Sequence, residues 1–305
     1  MHHYERVKNV PREHHVHRVG DWLPTDHRSH REWLDMVISK VDQNPKNFHP
    51  VIKEFKEIIE GDSRIYMLFN SMFDELPAKK PYNKDPSGNS SQVRDYMHML
   101  ELFNHLLTTA PHWNTASNKT GMVGLPIQAV LDWPMGTPSG YTAFQDPKVN
   151  GIMKKMLDAW GKFLQSEESA KQVLTTNDDG WFSETGKKDL EVVANKAADQ
   201  NGSFEEHFVC DPSKPHFGYT SWDDFFTRQL REGSRPVASP DDDDVIANAC
   251  ESKPYAIRSD VALRDKFWIK GQPYSVTDLV AQHEYASKFE GGTVYQAFLS
   301  ALSYH

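Results

Sequence analysis

HFGYTSWDDFFTRQLREGSRP, residues 216–236, decides how the rest of the chain is organised. It opens with a Gly218-Tyr219 turn, and Ser221 then stands three residues before Asp224. A serine hydroxyl at that spacing takes a free N–H of the first helical turn. A short helix is therefore predicted, with Trp222, Phe225 and Phe226 on its buried side. Arg228, Arg231 and Arg235 follow on one side of the same turn. Gly233 and Pro236 stop the helix before an extended run expected from Val245. Spacing alone describes no more than a helix-to-strand corner with solvated arginines.

Upstream of this corner the apolar period is helical. Trp33, Met36 and Val37 begin it. Val51, Ile52, Phe55, Ile58 and Ile59, and then Ile65, Leu68, Phe69, Met72 and Phe73, recur at helical spacing, which puts each set on one face. Gly61 and Asp62 break the chain between them. A polar loop over 77–90 precedes a longer helix with Val93, Tyr96, Met97, Leu100, Phe103 and Leu107 on its stripe. Proline and glycine punctuate 111–140, leaving one short helical run around Ile127, Val130 and Leu131. The most regular stripe is Val149, Ile152, Met153, Met156, Leu157, Trp160, Phe163 and Leu164. Methionines and aromatics at that spacing are read as core, not as a ligand slot. A turn at 177–181 leads into a helix over 183–198 that packs weakly through Leu190 and Val193. Residues 1–30 cluster His14, His15, His17, His27 and His30 with no cysteine or carboxylate at ligand spacing, and are read as a loosely docked arm.

Downstream the period changes to two. Val245, Ile246, Tyr255, Ile257, Val261, Leu263, Phe267, Trp268 and Ile269 fall in short runs bounded by turn residues, as strands of a mainly antiparallel sheet do. Lys270-Gly271 makes a tight turn, Ser275 caps a short helix through Val276, Leu279 and Val280, and 293–302 returns as a strand. Asp241 to Asp244 lack the glycine and the closing glutamate of a calcium loop and are read as a solvated connection. The class is α+β. A mobile arm (1–30) and a helical domain (31–208) precede a sheet domain (209–305), with the boundary near Pro212 and Pro215.

Composition narrows the function. The 305 residues are 38% hydrophobic and 25% charged, enough for a sizeable core. A net charge of -9 without a basic block makes nucleic acid and an anionic membrane surface poor partners. Cys210 and Cys250 are the only cysteines, which points to a reducing compartment. No signal-type segment and no membrane-length apolar window is visible, so a soluble, cytoplasmic protein is expected.

Four landmarks in order, WDDFFTRQLREGSRP, VIANACES, FWIKGQPYSVTDLV and GGTVYQAFLSALSYH, resemble the phosphatidylserine decarboxylase family. That family runs F-x-R-x-L-x-x-x-x-R-P, an S-P-A-D-G strand, K-G-x-x-Y-S-L-x-x-L-L and a strand ending Y-H-R-x-H-x-P. FGYTSWDDFFTR and ANACES are similar to its soluble fungal branch, which includes L-tryptophan decarboxylases and carries a helical N-terminal region. The resemblance implies that 209–305 is the N-terminal part of the decarboxylase catalytic domain, with an incomplete mixed sheet. It implies a carboxy-lyase that acts on a small amine-bearing acid, aromatic such as tryptophan, or on an aminophospholipid. The cofactor it implies is a pyruvoyl group made from a serine of the chain itself, because unmodified side chains offer no sink for the electrons of a breaking carbon–carbon bond.

Against that pattern the chain departs in two places. Tyr304 and His305 match the Y-H landmark, and the resemblance implies that His305 serves decarboxylation. The second histidine and the self-cleaving serine have no counterpart, since Gly202-Ser203 and Gly233-Ser234 are the only Gly-Ser pairs and both lie upstream of the sheet landmarks. The chain is therefore expected to be truncated, inactive by itself, and to pair with a missing C-terminal fragment. The family's aspartate falls on Cys250 and its glycine on Glu251. On a strand that slip would turn the acid to the other face unless a bulge at Ala249-Cys250 restored it. Glu251 is the favoured acid, and an exposed Glu251 beside a buried Cys250 is the alternative. Val294 and Phe298 are expected to face solvent on an unfinished sheet. A degenerate, non-catalytic paralogue acting as a binding module is the competing function.

Overall fold

Asp62 shows how the sequence parcels its helices. Gly61 closes α2 (Pro50–Gly61), and the Asp62 carboxylate accepts the N–H groups of Arg64 and Ile65 to start α3 (Ser63–Asp74). The same device recurs, with Asp95 opening α4 (Tyr96–Leu106) and Asp146 opening α7 (Pro147–Leu164). The computed structural model describes residues 27–75, 92–113, 126–198, 201–269, 272–299 and 302–304. The arm up to residue 26, the 77–90 loop, the Lys270-Gly271 turn and His305 lie outside the described residues.

The remaining helices are α1 (His27–Gln43), α5 (Pro126–Met135), α6 (Pro138–Ala143), α8 (Glu167–Val173), α9 (Glu184–Ala198), α10 (Phe204–His207), α11 (Trp222–Phe226) and α12 (Val276–Leu279). Helices α1 to α7 enclose one apolar cluster centred on Phe55, which meets Phe69 edge-on at 5.8 Å and stacks on Phe103 at 6.4 Å. In α7 the buried line is Val149, Ile152, Met156 and Leu164. Leu157, expected on that stripe, is 46% exposed, because one residue past Met156 the helix has turned by about 100°. Two helices lie in the 111–140 region where one was expected. Thr137 caps the second, α6, through the N–H of Gly140.

A second cluster joins Trp113, Trp181 and Phe182 to Phe204, Phe225 and Leu302, and so draws on residues from both sides of Val209. Phe182 stacks on Phe217 at 4.1 Å and meets Phe225 edge-on at 5.5 Å. His216 and Phe217 hold the left-handed conformation, with φ of 55° and 57°, ahead of Gly218 at 86°. The stack on Phe182 and a 2.7 Å contact between His216 Nδ1 and the Leu174 carbonyl hold that turn.

The strands form two separate antiparallel pairs among the described residues, where a single mixed sheet was expected. β1 (Lys253–Ser259) pairs with β4 (Thr293–Phe298), with Ile257 opposite Tyr295 and Arg258 opposite Val294. β2 (Phe267–Ile269) pairs with β3 (Gln272–Tyr274). Val245 and Ile246 are in no strand, and Ile246 is 94% exposed. A strand needs a ladder partner for its backbone groups, and none of the described residues lies opposite this run. Val261 and Leu263 likewise leave the strand; Val261 forms a small core with Phe267 and Val276, against which Leu263 packs. Val294 packs on that core instead of facing solvent, and the exposed pair on the other face is Ile257 and Tyr295. The run expected over 293–302 ends as a strand at Phe298.

Candidate functional site

The corner at 216–236 builds the site. Ser221 Oγ accepts the N–H of Asp224 at 3.0 Å, and Asp224 reaches back to the N–H of Thr220 at 2.8 Å, so α11 starts where its sequence predicts. Trp222 and Phe225 are buried and Phe226 is half-buried. The helix ends at Phe226, and with it the geometry that would keep the three arginines on one side. They point to three different partners, which corrects the expectation of a solvated row.

Arg228 is only 2% exposed. Its guanidinium lies over the Phe208 ring at 4.5 Å and the Phe225 ring at 5.2 Å. Nη1 donates to the Phe225 carbonyl at 3.4 Å and Nη2 to the Leu302 carbonyl at 3.1 Å, while Nε is buried without a partner. Burial pushes its pKa down to about 10. Arg231 stays exposed and donates through Nε to the Glu205 carbonyl at 2.6 Å.

Arg235 binds with all three of its nitrogens. Nε meets Glu251 Oε1 at 2.5 Å, Nη1 the Ser234 carbonyl at 2.8 Å, and Nη2 the Ala194 carbonyl near the end of α9 at 2.9 Å. The other oxygen of Glu251 accepts the N–H of Tyr304 at 3.1 Å, and the Glu251 N–H donates to the Tyr304 carbonyl at 3.0 Å. Glu251 thus joins the signature corner to the residue before His305. Where His305 itself sits is outside the described residues. Tyr304 is half-buried, its ring 6.3 Å from Phe208.

Cys250 is a free, half-buried thiol with no part in these contacts. Residues 249–252 belong to no strand, so the strand-face question between Cys250 and Glu251 does not arise in this fold. The ladder irregularity lies between Pro254 and Ala256, not at Ala249-Cys250. The direction of the Glu251 side chain is set by Arg235 and Tyr304 instead of by strand alternation.

Sequence reasoning missed His207. It is 1% exposed, its Nε2 lies 2.7 Å from Asn195 Oδ1, and its Nδ1 is buried without a partner. Burial, and next the positive charge of Arg235, hold its pKa below the usual histidine value, while Glu206 and Glu251 act the other way. A single histidine closing the four-residue α10 leaves no periodic signal to find.

The two Gly-Ser pairs sit in a helix cap and in a turn. The N–H of Ser203 is held by Glu206 at 2.7 Å in the capping box of α10, and Ser234 lies in a turn closed by its N–H on the Arg231 carbonyl at 3.0 Å. A shallow depression of about 400 Å³, lined by Arg264, Lys266, Ser275, Thr277 and Asp278, shares no lining residue with the Glu251 cluster. Among the described residues no helix is long and apolar enough to cross a membrane.

Known proteins share this arrangement of sequence. Two family models, both described as phosphatidylserine decarboxylase, match residues 49–190 and 222–305. The second begins at the first residue of α11 and includes Arg228, Arg235 and Glu251. A decarboxylase of Amanita muscaria, iboD, is 44% identical over 184 residues, 60% of this chain and 51% of its own length. An L-tryptophan decarboxylase of Psilocybe cyanescens is 31% identical over 296 residues, 93% of this chain and 62% of its own. Phosphatidylserine decarboxylase proenzyme 3 of Schizosaccharomyces pombe is 32% identical over 91 residues, 30% of this chain and 9% of its own. The chain spans between about half and three-fifths of the length of the two mushroom relatives.

Proposed function

Because the chain belongs to the phosphatidylserine decarboxylase family, we propose that it forms the supporting portion of a carboxy-lyase for a small amine-bearing acid, aromatic such as tryptophan. The observation that carries this is the position of Glu251, whose carboxylate joins Arg235 of the signature corner to the N–H of Tyr304. Glu251 is the acid of the site and His305, next in the chain after Tyr304, its histidine. An amino acid is preferred to phosphatidylserine as substrate because the match to an L-tryptophan decarboxylase runs over 296 residues, against 91 for the proenzyme from fission yeast.

The pyruvoyl group of the family is assigned to no residue of 1–305. In this reading its source and the second histidine would come from a partner polypeptide, and the protein would act in the cytoplasm. What these residues contribute is a fixed carboxylate in a half-buried setting. Both of its oxygens accept hydrogen bonds, which holds it in one orientation.

The test uses the full gene product and its Glu251→Gln variant, offered tryptophan in one assay and phosphatidylserine vesicles in another. Carbon dioxide from tryptophan, lost in the variant, supports the reading. Release from phosphatidylserine alone moves the substrate class, and release from neither favours the non-catalytic paralogue.

A further inference from the structure

The two inward-turned arginines of the corner grip the same short segment. Arg228 holds the Leu302 carbonyl, and Arg235, through Glu251, holds the N–H of Tyr304 two residues on. The Arg228 contact is not what stability alone would select. A guanidinium buried without a carboxylate partner carries a desolvation cost that two carbonyls and two ring faces only partly offset, and an apolar side chain of similar volume would avoid that cost altogether. An apolar side chain, however, could not fix the Leu302 carbonyl. Arg235 is likewise mounted: two of its three nitrogens are tied to main-chain carbonyls at Ser234 and Ala194, which leaves Nε in one direction, toward Glu251. The planar fork is what a lysine lacks, since its single ammonium cannot hold three fixed acceptors in one plane.

We infer that Arg228 and Arg235 are positioning residues which lock the Leu302–Tyr304 segment, and so the backbone leading into His305, against Glu251. The functional part of this inference rests on Glu251 and His305 being the site pair; the mechanical part stands on the geometry alone. The two arginines act at successive points, Arg228 on the Leu302 carbonyl and Arg235, through the Glu251 carboxylate, on the Tyr304 N–H. The two anchors lie only two residues apart, so losing either one loosens the Tyr304 N–H along with the rest of the segment.

The experiment follows amide exchange by NMR in protein labelled at tyrosine nitrogen, with Arg228→Met, Arg228→Lys, Arg235→Met and Arg235→Lys. The Tyr304 amide is the probe. The Tyr66 amide, bonded to the Asp62 carbonyl at 2.8 Å inside α3, is the internal control. The expected result is exchange at Tyr304 about tenfold faster in all four variants, with Tyr66 unchanged, since a hydrogen bond to a charged group is worth about that factor or more. Arg228→Met is expected to melt no lower than the unsubstituted chain, a result that a purely structural role for Arg228 would not give. In the full gene product the same variants should lower kcat with little change in KM. Unchanged exchange at Tyr304, or equal acceleration at Tyr66, overturns the inference. Should an Arg228 variant fail to fold, the Arg235 pair decides by the same readout. A gene product without decarboxylase activity refutes the functional reading but leaves the exchange result to judge the lock.

Discussion

A double-mutant cycle on Arg235 and Glu251 measures the contact on which the site is built. Their side chains are 17% and 13% exposed and meet at 2.5 Å, so the pair is neither a surface ion pair nor a fully buried one. Exposed pairs couple by about 0.2 to 1 kcal/mol. Removing one member of a fully buried pair costs about 3 to 5 kcal/mol, much of it from the charge left behind. Between these limits the cycle Arg235→Met with Glu251→Gln should return a coupling of about 1 to 2 kcal/mol. Glu251→Gln alone should cost about 2 kcal/mol, since the amide keeps the shape and one acceptor but loses the charge that makes both bonds strong. Urea unfolding followed by tryptophan fluorescence is the assay, with the m-value checked across the four proteins so that the stabilities compare like with like. Raising salt should weaken the coupling only modestly, because the pair is largely shielded. A coupling below about 0.5 kcal/mol, within the scatter of independent sites, would refute the reasoning.

Two further outcomes follow from the same structure. Phe225→Ala removes a ring that meets Trp181 at 5.2 Å, Phe182 at 5.5 Å and the Arg228 guanidinium at 5.2 Å, and should cost about 3 to 5 kcal/mol in thermal or urea unfolding; a loss under about 1 kcal/mol contradicts this packing. His98 and His207 are 2% and 1% exposed, and burial is the first cause holding both below the ordinary histidine pKa of 6.5. With a folded pKa below the unfolded one, the unfolded chain binds the extra protons, so their contribution is complete above pH 6.5 and is lost as pH falls below it. The Tm should therefore drop between pH 7.5 and pH 5, and less so in His98→Gln. A flat profile over that window is the contrary result.

Helices whose start and apolar stripe lie within a few residues of each other were legible in the sequence. Ser221 and Ser275 cap where the sequence places them, and Asp62, read only as a break, caps α3 as well, because a cap needs no partner from elsewhere in the chain. The sheet was less legible. Val245 and Ile246 have strand-forming side chains, but the outcome depends on a distant ladder partner that local pattern does not report. The cluster was legible only in part: Glu251 was singled out from its landmark, yet its tie to Tyr304 closes a loop of 53 residues, and no periodicity encodes such a contact. Arg228 was misplaced because an arginine after a short helix is ordinarily solvated, and its burial becomes visible only once Phe208 and Phe225 are seen to enclose it. His207 was invisible for the same reason, its neighbours Asn195 and Arg235 lying twelve residues before it and beyond the next turn.

We propose that residues 1–305 supply the Glu251 carboxylate of a decarboxylase site, while the group that takes up the electrons is assigned to none of them. The most direct measurement is carbon dioxide release from carboxyl-labelled tryptophan by the purified 305-residue polypeptide, alongside its intact mass. The expected result is a single unprocessed chain and no labelled gas above the protein-free blank. Sustained release by the 305 residues alone would contradict it.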